Sequence, residues 1–278
     1  MGESQAGFRA GYSTIDNAFI LQTIISKHLC EKGRKLYVAF VDFKKAFDSV
    51  NRNKLFEVLQ NNGIKGNLFA SLKSIYDKVK ACVKYRGDIS DFFNCPVGLR
   101  QGCNLSPVLF SLFINELDAV ITESGCHGIQ LHPDTINIFL LMFADDVALL
   151  GDTLSDLQKK QNVLHSFCVQ YKIQDNVEKT KIMVFKRGGK LARSEKWYYD
   201  NLPLHTVNNF SYVGVNFTTK MSLYKMAEAM SLKAKRVLIS LLSSQYKYMP
   251  MSHKTFFKLF DTRIASILLY GSEIWGNG

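Results

Sequence analysis

The feature that most constrains this chain is an apolar run from Ile136 to Leu150 broken by two adjacent carboxylates, Asp145 and Asp146. Two charges at bilayer depth are costly, so the run is not expected to span a membrane. Its halves, Ile136 to Phe143 and Val147 to Leu150, instead predict two buried strands forming a hairpin across Ala144-Asp145-Asp146, with the acidic pair at its tip. A core must close around such a hairpin. With 47% apolar residues in 278, the chain can bury one large domain with subdomains, or two, and the fibrous, collagen-like and disordered classes are excluded.

A second buried strand is predicted at Leu36 to Val41, a short apolar, β-branched and aromatic run that ends in Asp42, 103 positions before Asp145. Helical spacing over 51–62 and 66–78 predicts a helix pair with Gly63 and Gly66 as breakers, and Ala81 to Tyr85 with Ile89 to Cys95 predict a hairpin around Gly87-Asp88. Ser106-Pro107 opens a further helix running to about Glu123, with the serine expected to cap it. Leu154 to Tyr171 reads as a helix, Lys181 to Lys186 and Phe210 to Phe217 as short strands, and 221–243 and 252–270 as basic amphipathic helices. Helices and strands alternate irregularly, which is an α+β pattern.

Charge is unevenly placed. Residues 1–178 carry 19 basic and 19 acidic side chains, whereas 179–263 carry 16 against 4, so one stretch holds the whole excess behind the net +11. A concentration of Lys and Arg in one stretch points to a polyanionic partner such as nucleic acid. The six cysteines (30, 82, 95, 103, 126 and 168) form no C-x-x-C pair, so reduced structural thiols are expected rather than a zinc site or a disulfide framework. The polar opening Met1-Gly2-Glu3-Ser4-Gln5 has no signal-peptide pattern and no myristoylation motif. An intracellular protein off the membrane is expected, with nucleus and cytoplasm not distinguished by the sequence.

Asp42 at one strand end and Asp145-Asp146 at a hairpin tip can meet at a sheet edge. Carboxylates held that close need cations, and hard oxygen ligands suit Mg²⁺. Two such ions can activate a hydroxyl and stabilise leaving oxygens in an in-line displacement. An Asp-Asp turn on its own is far more often a solvated turn.

Five ordered segments extend that reading: VDFKKAFD from Val41, GLRQGCNLSP from Gly98, FADD from Phe143, NVEKTK from Asn176 and FSYVG from Phe210. In this order they resemble the successive palm motifs of reverse transcriptases, and most closely those of non-LTR, LINE-like retrotransposons. QAGFRAGYST from Gln5 and ILLYGSEIWG from Ile267 are similar to further patterns of that family. The resemblance covers essentially the whole chain. It implies a right-hand polymerase fold: a palm sheet with helices, partial fingers and a partial helical thumb, with residues 1–215 as fingers and palm and 216–278 as the basic thumb.

Carried over residue by residue, the resemblance makes Asp42 and Asp145 the principal metal ligands, with Asp146 completing the acidic set and the Phe43 carbonyl also reaching a metal. Two Mg²⁺ ions are implied, with Mn²⁺ as an alternative. Phe47 matches the bulky steric gate that excludes a ribose 2′-OH, or else packs in the core. Gln101 and Gly102 match residues against the incoming nucleotide and template base. Lys179 matches the lysine near the triphosphate, with Lys181 as a competing candidate. Phe210, Tyr212 and Gly214 match the primer-grip hairpin, and Lys233, Lys235 and Arg236 are expected to neutralise phosphates. The implied partners are an RNA template, a DNA primer and dNTPs; oligomeric state is not implied.

The sequence also departs from the family. It lacks the basic fingers motif expected upstream of QAGF, which reads as an N-terminal truncation. Tyr12 stands where an arginine is usual, Phe143 where tyrosine is common, and Ile173-Gln174-Asp175 departs from L-x-V. The expected function is an RNA-directed DNA polymerase domain. The alternatives are an inactive retroelement fragment that only binds nucleic acid, and an RNA-dependent RNA polymerase, against which Phe47 counts.

Overall fold

The computed structural model describes residues 4–132, 137–248 and 252–276; Met1, Gly2, Glu3 and Ile136, which carry sequence expectations, lie outside them. In chain order the protein begins with α1 (Thr14–Cys30), β1 (Leu36–Val41), α2 (Ala46–Ser49), α3 (Arg52–Asn61) and α4 (Gly66–Asp77). Four two-residue strands follow, β2 (Lys80–Ala81), β3 (Lys84–Tyr85), β4 (Asp88–Ile89) and β5 (Phe93–Asn94), then α5 (Ser106–Glu123), β6 (Leu140–Phe143), β7 (Asp146–Gly151) and α6 (Leu154–Tyr171). The chain continues with β8 (Lys181–Phe185), β9 (Tyr198–Tyr199), β10 (Leu202–Pro203), β11 (His205–Val207), β12 (Asn209–Tyr212) and β13 (Val215–Thr218). It ends in α7 (Leu223–Tyr248), α8 (His253–Leu259), a π-helical turn (Phe260–Ala265), α9 (Ser266–Leu268) and α10 (Ser272–Trp275).

The centre is a five-stranded sheet in the order β11-β8-β1-β7-β6, antiparallel except for the β11–β8 pair. All six residues of β1 are buried, because successive side chains point to opposite faces and both faces are covered. Tyr37, Ala39 and Val41 join Leu109, Phe113 and Phe167 in a core with α5 and α6. Leu36, Val38 and Phe40 join Leu21, Phe217 and Met226 on the opposite face, beneath α1, the β12–β13 hairpin and α7. The helices start where the sequence supplies caps: the Asn51 side chain accepts from Lys54 N–H at 3.1 Å, and Thr153 Oγ1 from Asp156 N–H at 3.1 Å.

Several expectations change. Ser106 is the first helical residue and does not cap α5; its hydroxyl donates to the Arg100 carbonyl at 2.6 Å. The hairpin expected around Gly87-Asp88 turns at Arg86-Gly87, with φ of 49° and 101°, because Tyr85 pairs with Asp88. Positive φ at both positions is the primed turn that two-residue hairpins favour. The strand read over Phe210 to Phe217 is instead the β12–β13 hairpin, the shape the family resemblance implies there, reversing at Val213-Gly214 with φ of 40° and 86°. The helix expected over 252–270 is broken by the π-helical turn, and α1 is an element the sequence reading does not anticipate. All six cysteines are free thiols, Cys126 and Cys168 buried. Among the described residues no helix is long and apolar enough to cross a membrane.

Candidate active site

The β1–β7 ladder runs to Val41 opposite Val147. The next positions outward are Asp42, directly after β1, and Asp146, the first residue of β7. Asp145 shares the β6–β7 turn with Ala144, since Phe143 pairs directly with Asp146. The apolar strands are buried up to this point, and Asp145 and Asp146 emerge exposed beside half-buried Asp42. The protein packed around the Asp146 carboxyl, and then the negative charges of Asp145 and Asp42, raise its pKa above the ordinary carboxylate range. The acids feel one another, as a cation site requires.

Asp42 is the most firmly held of the three. Asn176 donates from its backbone to the Asp42 carbonyl at 2.7 Å and from its side-chain amide to Asp42 Oδ2 at 3.0 Å. The Asp42 N–H donates to Thr180 Oγ1 at 3.1 Å, and that hydroxyl donates onward to Asp175 Oδ1 at 2.8 Å. Phe43 sits opposite Asp175 in an isolated antiparallel bridge whose hydrogen bonds run through the Asp42 carbonyl and the Lys44 N–H. The Phe43 carbonyl is therefore not consumed by the bridge. Asp175 is buried, and desolvation outweighs its hydrogen bonds from Thr180 and the Asn176 backbone, pushing its pKa up to about 6.

Lys179 reaches toward the acids, with its ammonium 3.8 Å from Asp42 Oδ2 on a side chain 70% exposed. Lys181 lies in β8 opposite Phe40 and donates to the Glu178 carbonyl, so of the two lysines it is Lys179 that faces the carboxylate. Asp42, Asp48, Asn176 and Lys179 line a cleft of about 640 Å³ that Lys44 and Lys45 also border. Nothing in the sequence pattern singles out these last two lysines.

Phe47, on α2, stacks on Phe110 at 4.6 Å between centroids and meets the Phe8 ring edge-on at 6.5 Å. It is half-buried, so one part of the ring packs on the core and the rest stays at the surface. The Gly98 to Gly102 loop docks against its segment: Gly98 N–H donates to Val50 and Leu99 N–H to Phe47, at 2.9 and 2.8 Å. Gly98 is required there, because with φ at 84° a Cβ would lie 2.6 Å from the Asp48 carbonyl oxygen. Gln101 Nε2 donates to Asp48 Oδ1 at 2.9 Å, and Gly102 is exposed with φ of 78°. This places Gln101 and Gly102 beside the segment that carries Phe47.

The remaining candidates lie elsewhere. Phe210 stacks on Phe40 of β1 at 4.3 Å, and buried Tyr212 donates to the Leu141 carbonyl at 3.3 Å, so both rings hold the β12–β13 hairpin against the sheet. Gly214 lies under the Tyr270 ring, where a Cβ would come within 3.0 Å. Tyr270 OH donates to the Val213 carbonyl at 2.6 Å and hydrogen-bonds Thr14 Oγ1 at 2.8 Å. On α7, Met226, Met230 and Ala234 form the buried stripe, while Lys233, Lys235 and Arg236 are exposed.

The acidic set consists of hard oxygen donors, the chemistry that Mg²⁺ or Mn²⁺ takes, and their mutual repulsion is what a cation would relieve. Among the described residues no three Asp, Glu, His or Cys side chains already converge as a ligating cluster.

Comparison with known proteins gives the family and the fold. The chain is 23% identical over 285 residues to a "Probable RNA-directed DNA polymerase from transposon BS" of Drosophila melanogaster, covering 99% of this chain and 30% of that protein. It is 25% identical over 221 residues to a "Retrovirus-related Pol polyprotein from type-2 retrotransposable element R2DM" of the same organism, covering 77% and 20%. The chain thus spans a third or less of either relative. Among solved structures, telomerase from Candida albicans superposes with a TM-score of 0.56 at 12% identity, over 98% of this chain and 50% of that one, which fixes the α+β, right-hand polymerase fold. The family profile "Reverse transcriptase (RNA-dependent DNA polymerase)" matches residues 1–217, and so the chain belongs to the reverse transcriptase family, with non-LTR retrotransposon proteins among its relatives.

Proposed function

We propose that this chain is the polymerase core of a non-LTR retrotransposon reverse transcriptase, which adds dNTPs to a DNA primer 3′-OH on an RNA template. Residues 1–215 would form partial fingers and palm, and 216–278 a partial thumb. The observation that carries the reading is the register that puts Asp42 beside Asp146, with Asp145 on the same edge and Lys179 close to Asp42.

Asp42, Asp145, Asp146 and the Phe43 carbonyl would hold two divalent cations, which supply charge neutralisation and hydroxyl activation when bound. Asn176 and Lys179 both approach Asp42 Oδ2, which favours the other oxygen as the ligating one. Lys179, helped by Lys44 and Lys45 across the cleft, would neutralise the triphosphate and can protonate the departing pyrophosphate. Phe47, pinned by Phe110, is stiff enough to reject a 2′-OH by contact, and Gln101 and Gly102 offer an exposed surface beside it for the nucleotide and template base. The β12–β13 hairpin carrying Phe210, Tyr212 and Gly214 would support the primer end through its backbone, its two rings being committed to the sheet. Lys233, Lys235 and Arg236 would neutralise phosphates without reading sequence.

The test is extension of a DNA primer on an RNA template by the purified chain with Mg²⁺ and dNTPs, beside Asp145→Ala and Asp42→Ala. Extension by the parent that both variants lose, with nucleic-acid binding retained, is the expected result. A folded parent that binds nucleic acid but never extends it would instead mark a chain that only binds.

A further inference from the structure

The outer edge of the central sheet is not left bare. Gln5 forms a parallel bridge with Met142 of β6; Met142 N–H donates to the Ser4 carbonyl at 2.8 Å, and Ala6 N–H to the Met142 carbonyl at 2.9 Å. Asn17 Nδ2, from α1, donates to the same Met142 carbonyl at 2.8 Å. The segment therefore pairs with the strand that leads directly into the acidic turn.

The contact continues into the turn itself. Gln5 is fully buried, and its side-chain Oε1 accepts from Gly7 N–H at 2.7 Å and from Ala144 N–H at 3.1 Å. Ala144 holds φ at 57°, the left-handed region that costs a residue with a Cβ about 1 kcal/mol or more. Gly7 lies so close that a Cβ there would stand 2.2 Å from the Ala144 nitrogen. Ser111 Oγ, from α5, donates to the Gly7 carbonyl at 3.3 Å and anchors the segment from behind. A strained alanine next to Asp145 is thus held by one buried amide oxygen and by a glycine that lets the backbones touch.

We infer that Gln5 is a positioning residue for the acidic turn: its side-chain carbonyl, on a backbone seated by Gly7, locks the left-handed Ala144 that aims Asp145 and Asp146. This rests on the reading of those two aspartates as metal ligands. It also gives the Gln5-Ala6-Gly7-Phe8 segment a role that needs no contact with nucleotide or template. Without the clamp, Ala144 can relax toward negative φ, and the carboxylates then swing away from Asp42 while the sheet behind them persists.

Two readouts test it on the full chain. In Gln5→Ala, amide hydrogen exchange at Ala144 to Asp146 should speed up about ten-fold, with exchange in β1 and α6 unchanged. Mn²⁺ affinity, titrated directly by calorimetry, should weaken by about 10–100-fold, with template–primer affinity unaltered. Adding Ala144→Gly, which makes the left-handed conformation easy, should restore part of the Mn²⁺ affinity, a rescue that general destabilisation would not give. Unchanged exchange at 144–146 in Gln5→Ala overturns the clamp, as does accelerated exchange spread over the whole sheet. If Gln5→Ala shows the local exchange effect yet the parent neither binds Mn²⁺ nor extends primers, the clamp stands and the polymerase reading falls.

Discussion

Asn176 grips Asp42 twice, through its backbone to the Asp42 carbonyl and through its side chain to Oδ2, at 2.7 and 3.0 Å. One residue thus fixes both where the strand end lies and which way its carboxylate faces. With Asp42 as the proposed metal ligand, removing the amide in Asn176→Ala should lower primer extension by about 10–100-fold, the usual cost of losing a partner that orients such a ligand. Thermal stability should change little. Asn176→Asp is the sharper variant, because a second carboxylate there raises the pKa of the pair. The rate-versus-pH profile should move to higher pH, and an unmoved profile would show that the side-chain contact is not what orients Asp42.

The gate role proposed for Phe47 makes a different demand. If the ring is the gate, Phe47→Val should incorporate rNTPs more readily than the parent does, measured as the ratio of kcat/KM for the two sugars. Because the ring also stacks on Phe110, the substitution should cost about 2 kcal/mol of stability. Lower stability with unchanged sugar selectivity would leave Phe47 as a packing residue alone.

Asp175 predicts a pH dependence of folding. Its folded pKa of about 6 lies above its ordinary value of 3.8, so between those limits the folded state binds more protons than the unfolded one. Stability should therefore fall as pH rises from about 4 to 6, by up to about 3 kcal/mol from this group. Asp175→Asn, which keeps an acceptor for Thr180, should flatten that part of the curve in denaturant unfolding. A slope equally steep in the variant would assign the dependence to other groups.

The basic face of α7 should act through salt. Replacing Lys233, Lys235 and Arg236 by alanine should weaken template–primer binding uniformly across sequences. The slope of log K against log salt should fall by about 0.7–0.9 for each phosphate that is no longer neutralised. Stability should hold, since the buried stripe of Met226, Met230 and Ala234 is untouched.

Much of this architecture is legible in the sequence, for reasons particular residues make plain. Leu36 to Val41 is apolar at every position because both faces are covered, and the Asp145-Asp146 interruption could only be a hairpin end. The α1 helix is harder to see, although Asp16 Oδ2 accepts from Ser13 N–H at 2.6 Å, a pairing whose spacing marks a helix start. The apolar stripe beyond it is interrupted, because Asn17 and His28 are buried on the same face as Leu21, Ile24 and Ile25. At the site, Lys44 and Lys45 stand out only once the cleft is formed, whereas the carboxylates and Lys179 announce their chemistry in one dimension. Gln5, Asn176 and Thr180 do not, since an amide or hydroxyl gains meaning only from the backbone group it meets, and Gln5 meets one 139 positions away. Phe210 and Tyr212 show the converse: their motif suggests a surface for the primer, and their rings are spent on packing.

The central strand has both its neighbours far downstream: Tyr37 pairs with Gly151 on one side and with Val184 on the other. On the ribosome, β1 emerges long before either partner exists, with two open hydrogen-bonding edges and six apolar side chains to shield. The sheet cannot begin to assemble until β7 is made, and β1 keeps an open edge until β8 follows, so synthesis rate and chaperone supply govern the yield of folded chain. Slow, cool expression should favour soluble protein.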